Sequence, residues 1–480
     1  MSILFLRRIA AATTLLAAML LSGCGNSGSQ PDIVPTPEVP APPPPTPPPP
    51  TPTPPPPPPL PPPPPVVEAK LCEAYTGPAL DSLKHYEGLM HEHSSYSDGH
   101  PENIPADYFR VARENGYSFV GSSEHSDSLD PGNFVALHAF CDFSNDRFDP
   151  TQLENCFLNP NGDNLLKWAS TRTQAQAANA DGQLLAIRGF EWTSDVFGHI
   201  NVYFSQNFTN AKTDLGYAVT MDTFWDWFSR DPAMPGLGGS VGSNPVNGGA
   251  GVFNGGGSDA LAHFNHPGDK CLTEDDPTGL TNNRCDWNDY TLIPDAVERM
   301  FGMELYNDGN RDDRYHERYT RALNKGWQLA PVGSEDEHFA EYAVEHRPKT
   351  VTISQSLKED EFKAAWLARR TYALSPGWHL RANVLADLGH PMGATLRCPA
   401  GAKVPLDVVM TQKDGTAFSG EYRLFGNGVE PIATAAGEKA RFLLTAPAAG
   451  EPARWYFVRV HGGPENKSVA YLAPVWIEAQ

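Results

Sequence analysis

The stretch that decides the fold is LMHEHSSYSDG, residues 89–99, in which two histidines lie two positions apart at the end of an apolar run. On a β-strand successive side chains point to opposite faces, so His91 and His93 share one face while Glu92 points to the other. Two imidazoles on one face are suited to bind one metal ion. The alternative for an isolated pair is two surface histidines at a strand end.

The N-terminus has the pattern of an export signal. Arg7 and Arg8 precede an apolar stretch, residues 9–21, that is short for a membrane span, and Leu21-Ser22-Gly23-Cys24 follows directly. Residues 1–23 resemble a bacterial lipoprotein signal peptide. The resemblance implies cleavage before Cys24, lipidation of that thiol and a lipid-anchored place in the cell envelope, at the outer membrane or the periplasmic face. A plain signal peptide is the alternative.

Residues 24–66 are predicted to be a spacer. From residue 31 to residue 66 the sequence is nearly all Pro and Thr, a composition that favours extended polyproline II and lacks the side chains of a core. We therefore expect the globular part to begin at residue 67.

Charge and cysteine content restrict the partners and the compartment. A formal net charge of −21 argues against a nucleic-acid polymer as partner, because proteins that bind one cluster Lys and Arg against its phosphates. The chain has 7 cysteines, and an even number remains if Cys24 is lipidated, which suggests disulfides in an oxidising compartment. Close spacing favours two pairs, and a third pair is weaker: Cys141 with Cys156, Cys271 with Cys285, and Cys72 with Cys398.

Short apolar runs alternate with helical patterns over residues 67–375, which is typical of parallel strands joined by crossover helices. Seven such strands predict an α/β fold, a (β/α)7 barrel. The predicted strands are residues 86–93, 118–124, 184–191, 200–204, 260–266, 301–306 and 328–333. The clearest predicted helices are residues 105–115, 164–180, 312–325 and 357–370.

Residues 376–480 have a different pattern. Short stretches of alternating apolar and polar residues are separated by Gly and Pro. This pattern predicts a small C-terminal antiparallel β-sandwich domain.

Side chains that bind metals recur at the predicted strand ends. In parallel barrels, functional side chains gather at the carboxyl ends of the strands. Several neighbouring divalent ions need a bridging carboxylate to offset their repulsion, and imidazoles to fill other coordination positions. The candidates are His91, His93, Asp98, His125, Glu191, His199, His266, Asp336 and His338.

Seven segments in this region resemble the PHP family, named for the polymerase and histidinol phosphatase proteins. They follow the family's order over residues 86–340 and read MHEHSSYSDG, GYSFVGSSEHSD, RGFEWTS, FGHINVYF, AHFNHPG, MELYN and VGSEDEH. The resemblance implies a distorted (β/α)7 barrel, a centre of three divalent metal ions and hydrolysis of phosphoesters.

The resemblance also implies which residues hold each ion. The first ion would be held by His91, His93, Glu191 and Asp336. The second would be bridged by Glu191 and held by His199 and His266. The third would be held by Asp98, His125 and His338. The implied catalytic residues are Glu191, Asp336 and His338.

Two departures from the family pattern leave alternatives. The chain has Glu124 before His125 where the family commonly has Asp, so Glu124 is expected to support a ligand rather than to be one. The last segment carries one extra residue, which makes Glu335 an alternative to Asp336. His100 is an alternative to Asp98 in the third set.

Other candidates fit a site less well. His263, three residues before His266, has the wrong strand parity for the same face. The aromatic residues of 224–228 are either core or a stacking surface. The candidate phosphate-binding residues are Arg311, Arg314 and Arg347.

The predicted activity is metal-dependent hydrolysis of a small phosphorylated substrate. Imidazole and carboxylate ligands suit zinc, manganese and iron, and divalent ions activate water and neutralise phosphoryl charge. The alternatives are an amide or lactone hydrolase on the same metal barrel, and a non-enzymatic cell-surface binding module.

Overall fold

The described part of the chain begins after the proline-rich segment. The computed structural model describes residues 70–129, 167–180, 182–211, 220–234, 236, 255–271, 284–308 and 314–480. The predicted signal peptide, the spacer and Cys24 therefore lie outside the described residues, as do Cys141 and Cys156. No helix among the described residues is long and apolar enough to cross a membrane.

Eight strands correspond to the seven predicted ones. The predicted strand over residues 184–191 is divided in two at Arg188. The strands are β1 (Lys84–Leu89), β2 (Phe119–Gly121), β3 (Leu185–Ile187), β4 (Gly189–Ser194), β5 (Gly198–Tyr203), β6 (Leu261–Phe264), β7 (Met300–Asn307) and β8 (Ala330–Ser334).

These strands belong to two sheets. Strands β1, β2 and β3 are parallel neighbours in one sheet, and the other has the order β4-β5-β6-β7-β8. The α/β class is confirmed, but the described strands do not form one closed barrel of seven parallel strands. Strand β5 runs antiparallel to β4 and β6, because residues 195–197 alone connect β4 to β5 and a parallel crossover needs a dozen or more.

The helices are short. Helix α1 has Pro105 at its first position, where a missing N–H costs nothing, and it ends just before Gly116, which has a φ of +79°. Its Tyr108, Phe109 and Ala112 pack against Val120 of β2. The helices are α1 (Pro105–Glu114), α2 (Ser126–Leu129), α3 (Lys167–Ala178), α4 (Met221–Ser229), α5 (Cys285–Tyr290), α6 (His316–Asn324) and α7 (Glu359–Leu367).

From Lys349 onward the chain consists mostly of strands, with helix α7 between the first two of them. They are β9 (Lys349–Ser354), β10 (Thr371–Leu374), β11 (Leu380–Ala386), β12 (His390–Pro391), β13 (Thr395–Cys398), β14 (Lys403–Gln412), β15 (Gly420–Gly426), β16 (Ala433–Gly437), β17 (Lys439–Thr445), β18 (Arg454–Gly462), β19 (Lys467–Tyr471) and β20 (Val475–Ala479). Strand β9 pairs antiparallel with β1 and β10, and β10 pairs with β19. One sheet therefore runs from β1 across the predicted boundary at residues 375 and 376, and the boundary itself stays a prediction.

Two sheets of the C-terminal part enclose an apolar core. Strands β12, β11, β14 and β17 form a four-stranded sheet in that order. Along β14 the residues Val404, Leu406, Val408 and Met410 are buried, and their neighbours in sequence are more exposed. The alternation gives this sheet one buried face, which shares a core with residues of β15, β18 and β19 in the larger sheet.

Two disulfides join distant and neighbouring parts of the chain. Cys271 pairs with Cys285, as the spacing predicted, and Cys72 pairs with Cys398 across a sequence separation of 326 residues. The second bond ties the segment before β1 to β13, and the side chain of Asp387 accepts hydrogen bonds from the backbone N–H groups of Leu71 and Cys72.

Candidate metal centre

His91 and His93 lie just beyond the end of β1 and are fully buried. Backbone hydrogen bonds join this segment to the residues after β8: the N–H of Asp336 donates to the carbonyl of His91 at 2.9 Å, and the N–H of His93 donates to the carbonyl of Glu337 at 3.1 Å. The two imidazole rings lie 5.0 Å apart. The segments that carry the two histidines and Asp336 are therefore held together by main-chain contacts.

Both rings use the same nitrogen, Nδ1, to contact a neighbouring side chain. Nδ1 of His91 lies 2.8 Å from Oε1 of Glu304, and Nδ1 of His93 lies 3.1 Å from Oγ of Ser97. The Ser97 hydroxyl donates to Oε2 of Glu124 at 2.6 Å, so its oxygen accepts from His93. In the neutral rings that bind a metal ion, acceptors at both Nδ1 atoms place the lone pair on Nε2.

The two Nε2 atoms lack the partner that a bound metal ion would supply. Both are buried without a hydrogen-bond partner of suitable geometry, although each lies 3.3 Å from Oδ1 of Asp336. Buried polar atoms are nearly always paired, and imidazole nitrogens facing one carboxylate oxygen are ligands for a divalent cation. The residues present therefore fit a metal site.

Glu191 on β4 lies at the centre of the histidines. Its Oε1 is 2.9 Å from Nδ1 of His199, 3.2 Å from Nε2 of His91 and 3.4 Å from Nε2 of His266. Its Oε2 is 2.7 Å from Nδ1 of His125. Burial raises the pKa of Glu191, but the neighbouring imidazoles outweigh burial and hold its pKa well below the usual value. One ionised carboxylate thus faces four imidazoles.

His199 contacts Glu191 from the start of a strand and not from a strand's carboxyl end. The sequence placed it at a carboxyl end, but it lies at the start of β5, opposite Thr193 in the antiparallel pair with β4. The beginning of β5 therefore lies beside the end of β4 that carries Glu191. His266 follows β6 with a φ of +23°, and its ring lies 4.9 Å from that of His199.

Asp98 joins two further histidines at the exposed side of the cluster. Its Oδ1 lies 3.1 Å from Nε2 of His125 and 3.2 Å from Nε2 of His338, and the His338 ring stacks on His93 at 4.2 Å. The Asp98 side chain is 57% exposed, whereas that of Asp336 is 19% exposed. This group therefore opens toward solvent.

The donor atoms form three adjacent groups among the described residues. In each group the donor atoms all lie within 4.8 Å of one another. The groups are His91 with His93 and Asp336, His91 with Glu191 and His266, and His93 with Asp98, His125 and His338. They contain eight of the nine predicted residues; His199 contacts Glu191 but belongs to none of them. His91 and His93 each occur in two groups, which places the groups side by side.

The carboxylates attract positive charge into the cluster. Burial lowers the pKa of His91, but the carboxylates of Asp336, Glu191 and Glu304 outweigh burial and raise that pKa well above its usual value. Burial lowers the pKa of His93 to about 3, and the nearby His338 adds to this effect. The cluster is thus built of ionised carboxylates around imidazoles, a donor set that suits divalent cations.

Glu304 is the functional residue that the sequence interpretation missed. Besides contacting His91, its Oε2 accepts from the backbone N–H of His266 at 2.6 Å and from Nδ2 of Asn307 at 2.9 Å. Asn307 also donates to Oδ2 of Asp336 at 3.1 Å. The signal available in the sequence was an acidic residue inside the apolar strand MFGMELYN, where a charge needs a partner.

The two glutamates left open by the sequence lie outside the donor groups. Glu124 accepts hydrogen bonds from the backbone N–H and hydroxyl of Ser94 and from the hydroxyls of Ser97 and Tyr108. Glu335 turns toward the backbone N–H of Ala343, which donates to its Oε2 at 2.8 Å. Asp336 adopts a left-handed φ of +51°, and Asp336, not Glu335, faces the histidines.

The remaining candidates lie elsewhere. His263 is buried with its Nε2 3.2 Å from the hydroxyl of Tyr203, and His100 belongs to none of the donor groups. The aromatic residues of α4 are buried in the core. Arg347 pairs with Glu337 at 2.7 Å and Arg314 with Asp269, while Arg311 lies outside the described residues.

No family model matches the chain. No curated protein matches it either. Among solved structures it is similar to a two-domain protein from Bacteroides vulgatus that contains a predicted PHP-like metal-dependent phosphoesterase, with 16% identity over 85% of this chain and 99% of that chain and a TM-score of 0.38. An engineered protein matches with 11% identity over 78% of this chain and 79% of that chain, at a TM-score of 0.18. Scores this low do not establish a shared fold or activity.

The arrangement can bind several cations and leave one side open to a substrate. The second group is buried, the first is buried except for Asp336, and the group around Asp98 reaches solvent. A buried set of donors that shares residues with a partly exposed set is suited to metal-assisted chemistry on a ligand that enters from the exposed side.

Proposed function

We propose that this protein hydrolyses small phosphoesters with a centre of divalent metal ions. The observation that carries the proposal is the pair of buried, unpartnered Nε2 atoms of His91 and His93, both 3.3 Å from one oxygen of Asp336. The seven segments that resemble the PHP family support phosphoesters as the substrate class.

Three ions are proposed, of zinc, manganese or iron. The proposed ligands are the nine residues named from the sequence, of which Glu191 would bridge two ions. Its contact with four imidazoles through two oxygens supports that role. When bound, divalent ions supply Lewis acidity, which lowers the pKa of water and neutralises charge on a phosphoryl group.

The protein's own residues supply orientation and charge. Glu304 and Ser97 fix the ring orientations of His91 and His93, so that both Nε2 atoms point inward. Glu191 and Asp336 provide the ionised carboxylates, and His338 lies on the open side with Asp98. Because the group around Asp98 is the most exposed of the three, a substrate would approach through the side of Asp98 and His338.

We further propose that the two N-terminal sheets together form the distorted barrel implied by the family. Backbone hydrogen bonds between strand ends support this proposal. The N–H of Glu191 donates to the carbonyl of Glu124 at 3.0 Å, and the N–H of Asp336 donates to that of His91 at 2.9 Å. These contacts connect β4 with the end of β2, and β8 with the end of β1.

Hydrolysis assays with purified, metal-analysed protein test the proposed function. The native protein is incubated with phosphomonoesters, phosphodiesters, amides and lactones, and the product of each is measured. We expect metal-dependent release of phosphate from a monoester, or of an alcohol from a diester, that stops on chelation and returns on adding zinc, manganese or iron. Glu191→Gln should lose the activity, while Glu451→Gln, at an exposed position, should keep it. Hydrolysis of only amides or lactones, or metal bound without any hydrolysis, would contradict the proposal.

Export and lipid anchoring are proposed from the sequence. The two disulfides support an oxidising compartment. Native protein is expected in the membrane fraction with an acyl-modified Cys24, and the Cys24→Ala form should not be lipidated. Mass analysis of the N-terminal peptide checks this, and an unmodified N-terminus in native protein would refute the anchoring.

A further inference from the structure

Two asparagines lie behind the carboxylate of Glu191. They are Asn201 of β5 and Asn265, which directly follows β6, and both are fully buried. A buried amide costs free energy unless its hydrogen bonds are made. The partners of these two side chains therefore indicate what they do.

The orientation of the Asn265 amide follows from its partners. Its Oδ1 accepts from the backbone N–H of Asn201 at 3.1 Å, and a backbone N–H can only donate. The other end of the amide is therefore the NH2 group. Its Nδ2 donates to Oε1 of Glu191 at 2.8 Å and to Oδ1 of Asn201 at 2.8 Å. Turning the amide over would place its oxygen against a carboxylate, so only this orientation fits.

The amide of Asn201 fixes that of Asn265. Since Oδ1 of Asn201 accepts from Asn265, its Nδ2 lies on the other side, where it donates to the carbonyl of Met90 at 3.0 Å. Met90 immediately precedes His91 in the sequence. A chain of hydrogen bonds thus runs from Glu191 through both amides to the residue before His91.

The backbone of Asn265 is connected to two further ligand candidates. Its N–H donates to the carbonyl of His199 at 3.1 Å. The next residue in the sequence is His266, whose Nε2 lies 3.4 Å from the same Oε1 of Glu191. Asn265 therefore contacts Glu191 with its side chain and is joined to both histidines through its main chain.

A neutral donor suits a carboxylate that is proposed to bridge two ions. An ionised carboxylate offers about four acceptor positions, so the one used by Asn265 leaves others for cations. A lysine or arginine in its place would add a positive charge that opposes metal binding. The amide orients Glu191 and leaves its negative charge available to the ions.

We propose that Asn265, oriented by Asn201, is a positioning residue that holds the Glu191 carboxylate in the orientation that binds metal ions. The proposal rests on the metal centre of the proposed function. Loss of a group that supports a ligand costs about 10–100-fold in metal affinity. A neutral side chain that is not itself a metal ligand thereby sets how tightly the centre binds its ions.

The zinc affinity of the full-length protein tests this assignment, with a coloured chelator as competitor. Asn265→Ala should raise the zinc dissociation constant about 10–100-fold. Asn265→Ser keeps a polar group in the buried space and is the milder change for the fold, but its hydroxyl is one bond too short, so a similar rise is expected. Asn201→Ala should give a smaller rise. Adding it to Asn265→Ala should have little further effect, because the two amides act in one chain.

A matched control is available outside the centre. Asn179 accepts a hydrogen bond from the backbone N–H of Ala186 in β3 at 2.7 Å. Asn179→Ala removes an asparagine side chain with a defined partner, as Asn265→Ala does, but it should leave the zinc affinity unchanged.

Unfolding with and without zinc separates positioning from a general structural role. A bound ligand stabilises the native state according to its affinity. The rise in unfolding midpoint that zinc produces should therefore be smaller in Asn265→Ala and Asn265→Ser than in native protein. A purely structural role would lower the midpoint equally with and without zinc.

The outcomes that contradict the proposal are distinct. Native zinc affinity in Asn265→Ser, or an equal fall of both midpoints, overturns the role of Asn265 and leaves the proposed function intact. Additive effects of Asn265→Ala and Asn201→Ala overturn the coupling between the two amides. Native protein that binds no zinc, manganese or iron overturns both the positioning role and the proposed function.

Discussion

Nδ1 of His91 lies 2.8 Å from Oε1 of Glu304, and both residues are fully buried. The same glutamate accepts from the backbone N–H of His266 through its other oxygen. One side chain thereby orients the His91 ring and fixes the loop of His266. A carboxylate behind a histidine ligand fixes the ring and raises the basicity of its free nitrogen.

Glu304→Gln is expected to weaken metal binding without removing a ligand. The amide keeps the size of the side chain but removes the charge behind His91, and losses of such supporting groups cost about 10–100-fold in metal affinity. Competition with a metal chelator measures the affinity. Glu451→Gln, the same substitution at an exposed position, is the control. Equal affinity in Glu304→Gln and native protein would show that the contact does not support a metal ligand.

Residue patterns predicted which side chains lie at the strand ends. They predicted less well how the strands pair with one another. The parity of His91 and His93 is local, since it follows from the alternation of one strand, and the structure places both rings at the same point. Glu304 was missed because its partner is 213 residues away in sequence, so an acid in an apolar strand gave no hint of which residue it faces. The direction of β5 could have been predicted, because residues 192–199 between the two predicted strands are too few for a parallel crossover.

The acid stability of the protein should depend on Glu87 of β1. Burial raises the pKa of Glu87, but the hydrogen bond from His379 and the charge of Arg381 outweigh burial and lower it to about 2. The contribution to stability is therefore fully present above the unfolded-state pKa near 4.5 and is lost as pH falls toward 2. The shift corresponds to about 3 kcal/mol. Glu87→Gln should lower the free energy of unfolding by roughly that amount at pH 7, in denaturant titration.

The pH dependence of stability shows whether Glu87 stabilises the protein through its charge or through packing. The difference in unfolding free energy between native protein and Glu87→Gln should shrink steadily from about pH 4.5 to pH 2, since protonation removes the same charge. A difference that stays constant over this range would mean that Glu87 contributes by packing or by hydrogen bonding of its neutral form.

The Cys271–Cys285 disulfide is expected to support the His199 and His266 loops. Residues 286–290 have left-handed φ values between 48° and 56°, a conformation that costs L-residues about 1–2 kcal/mol each and needs restraint. This segment holds both loops: Asp286 accepts from the N–H of Gly268 at 2.6 Å, and the N–H of Trp287 donates to the carbonyl of Phe197 at 2.8 Å.

Replacing both cysteines by serine tests this support. The Cys271→Ser/Cys285→Ser protein should lose about 3 kcal/mol of stability from the closed loop and should also bind less metal. The Cys72→Ser/Cys398→Ser protein removes the bond between the N-terminal segment and β13, so it should lose stability but keep its metal. Full metal content in the first protein, measured by elemental analysis below its unfolding temperature, would rule out a role in the site.

His263 and His266 are expected to respond differently to the same substitution. His263 is buried against Tyr203, whereas Nε2 of His266 lies 3.4 Å from Glu191. His266→Asn should lose about one metal equivalent, and His263→Asn should keep all of them at some cost in stability. The opposite pattern in elemental analysis would place the wrong histidine in the site.

The central claim is that Glu191 links neighbouring metal ions, and the metal content of Glu191→Gln tests it most directly. Gln keeps the shape of the side chain but removes the negative charge that faces His91, His125 and His199. If two cations share this carboxylate, the loss of its charge should release more than one metal equivalent per chain relative to native protein. Glu191→Gln protein that retains the full metal content of the native protein would contradict the account.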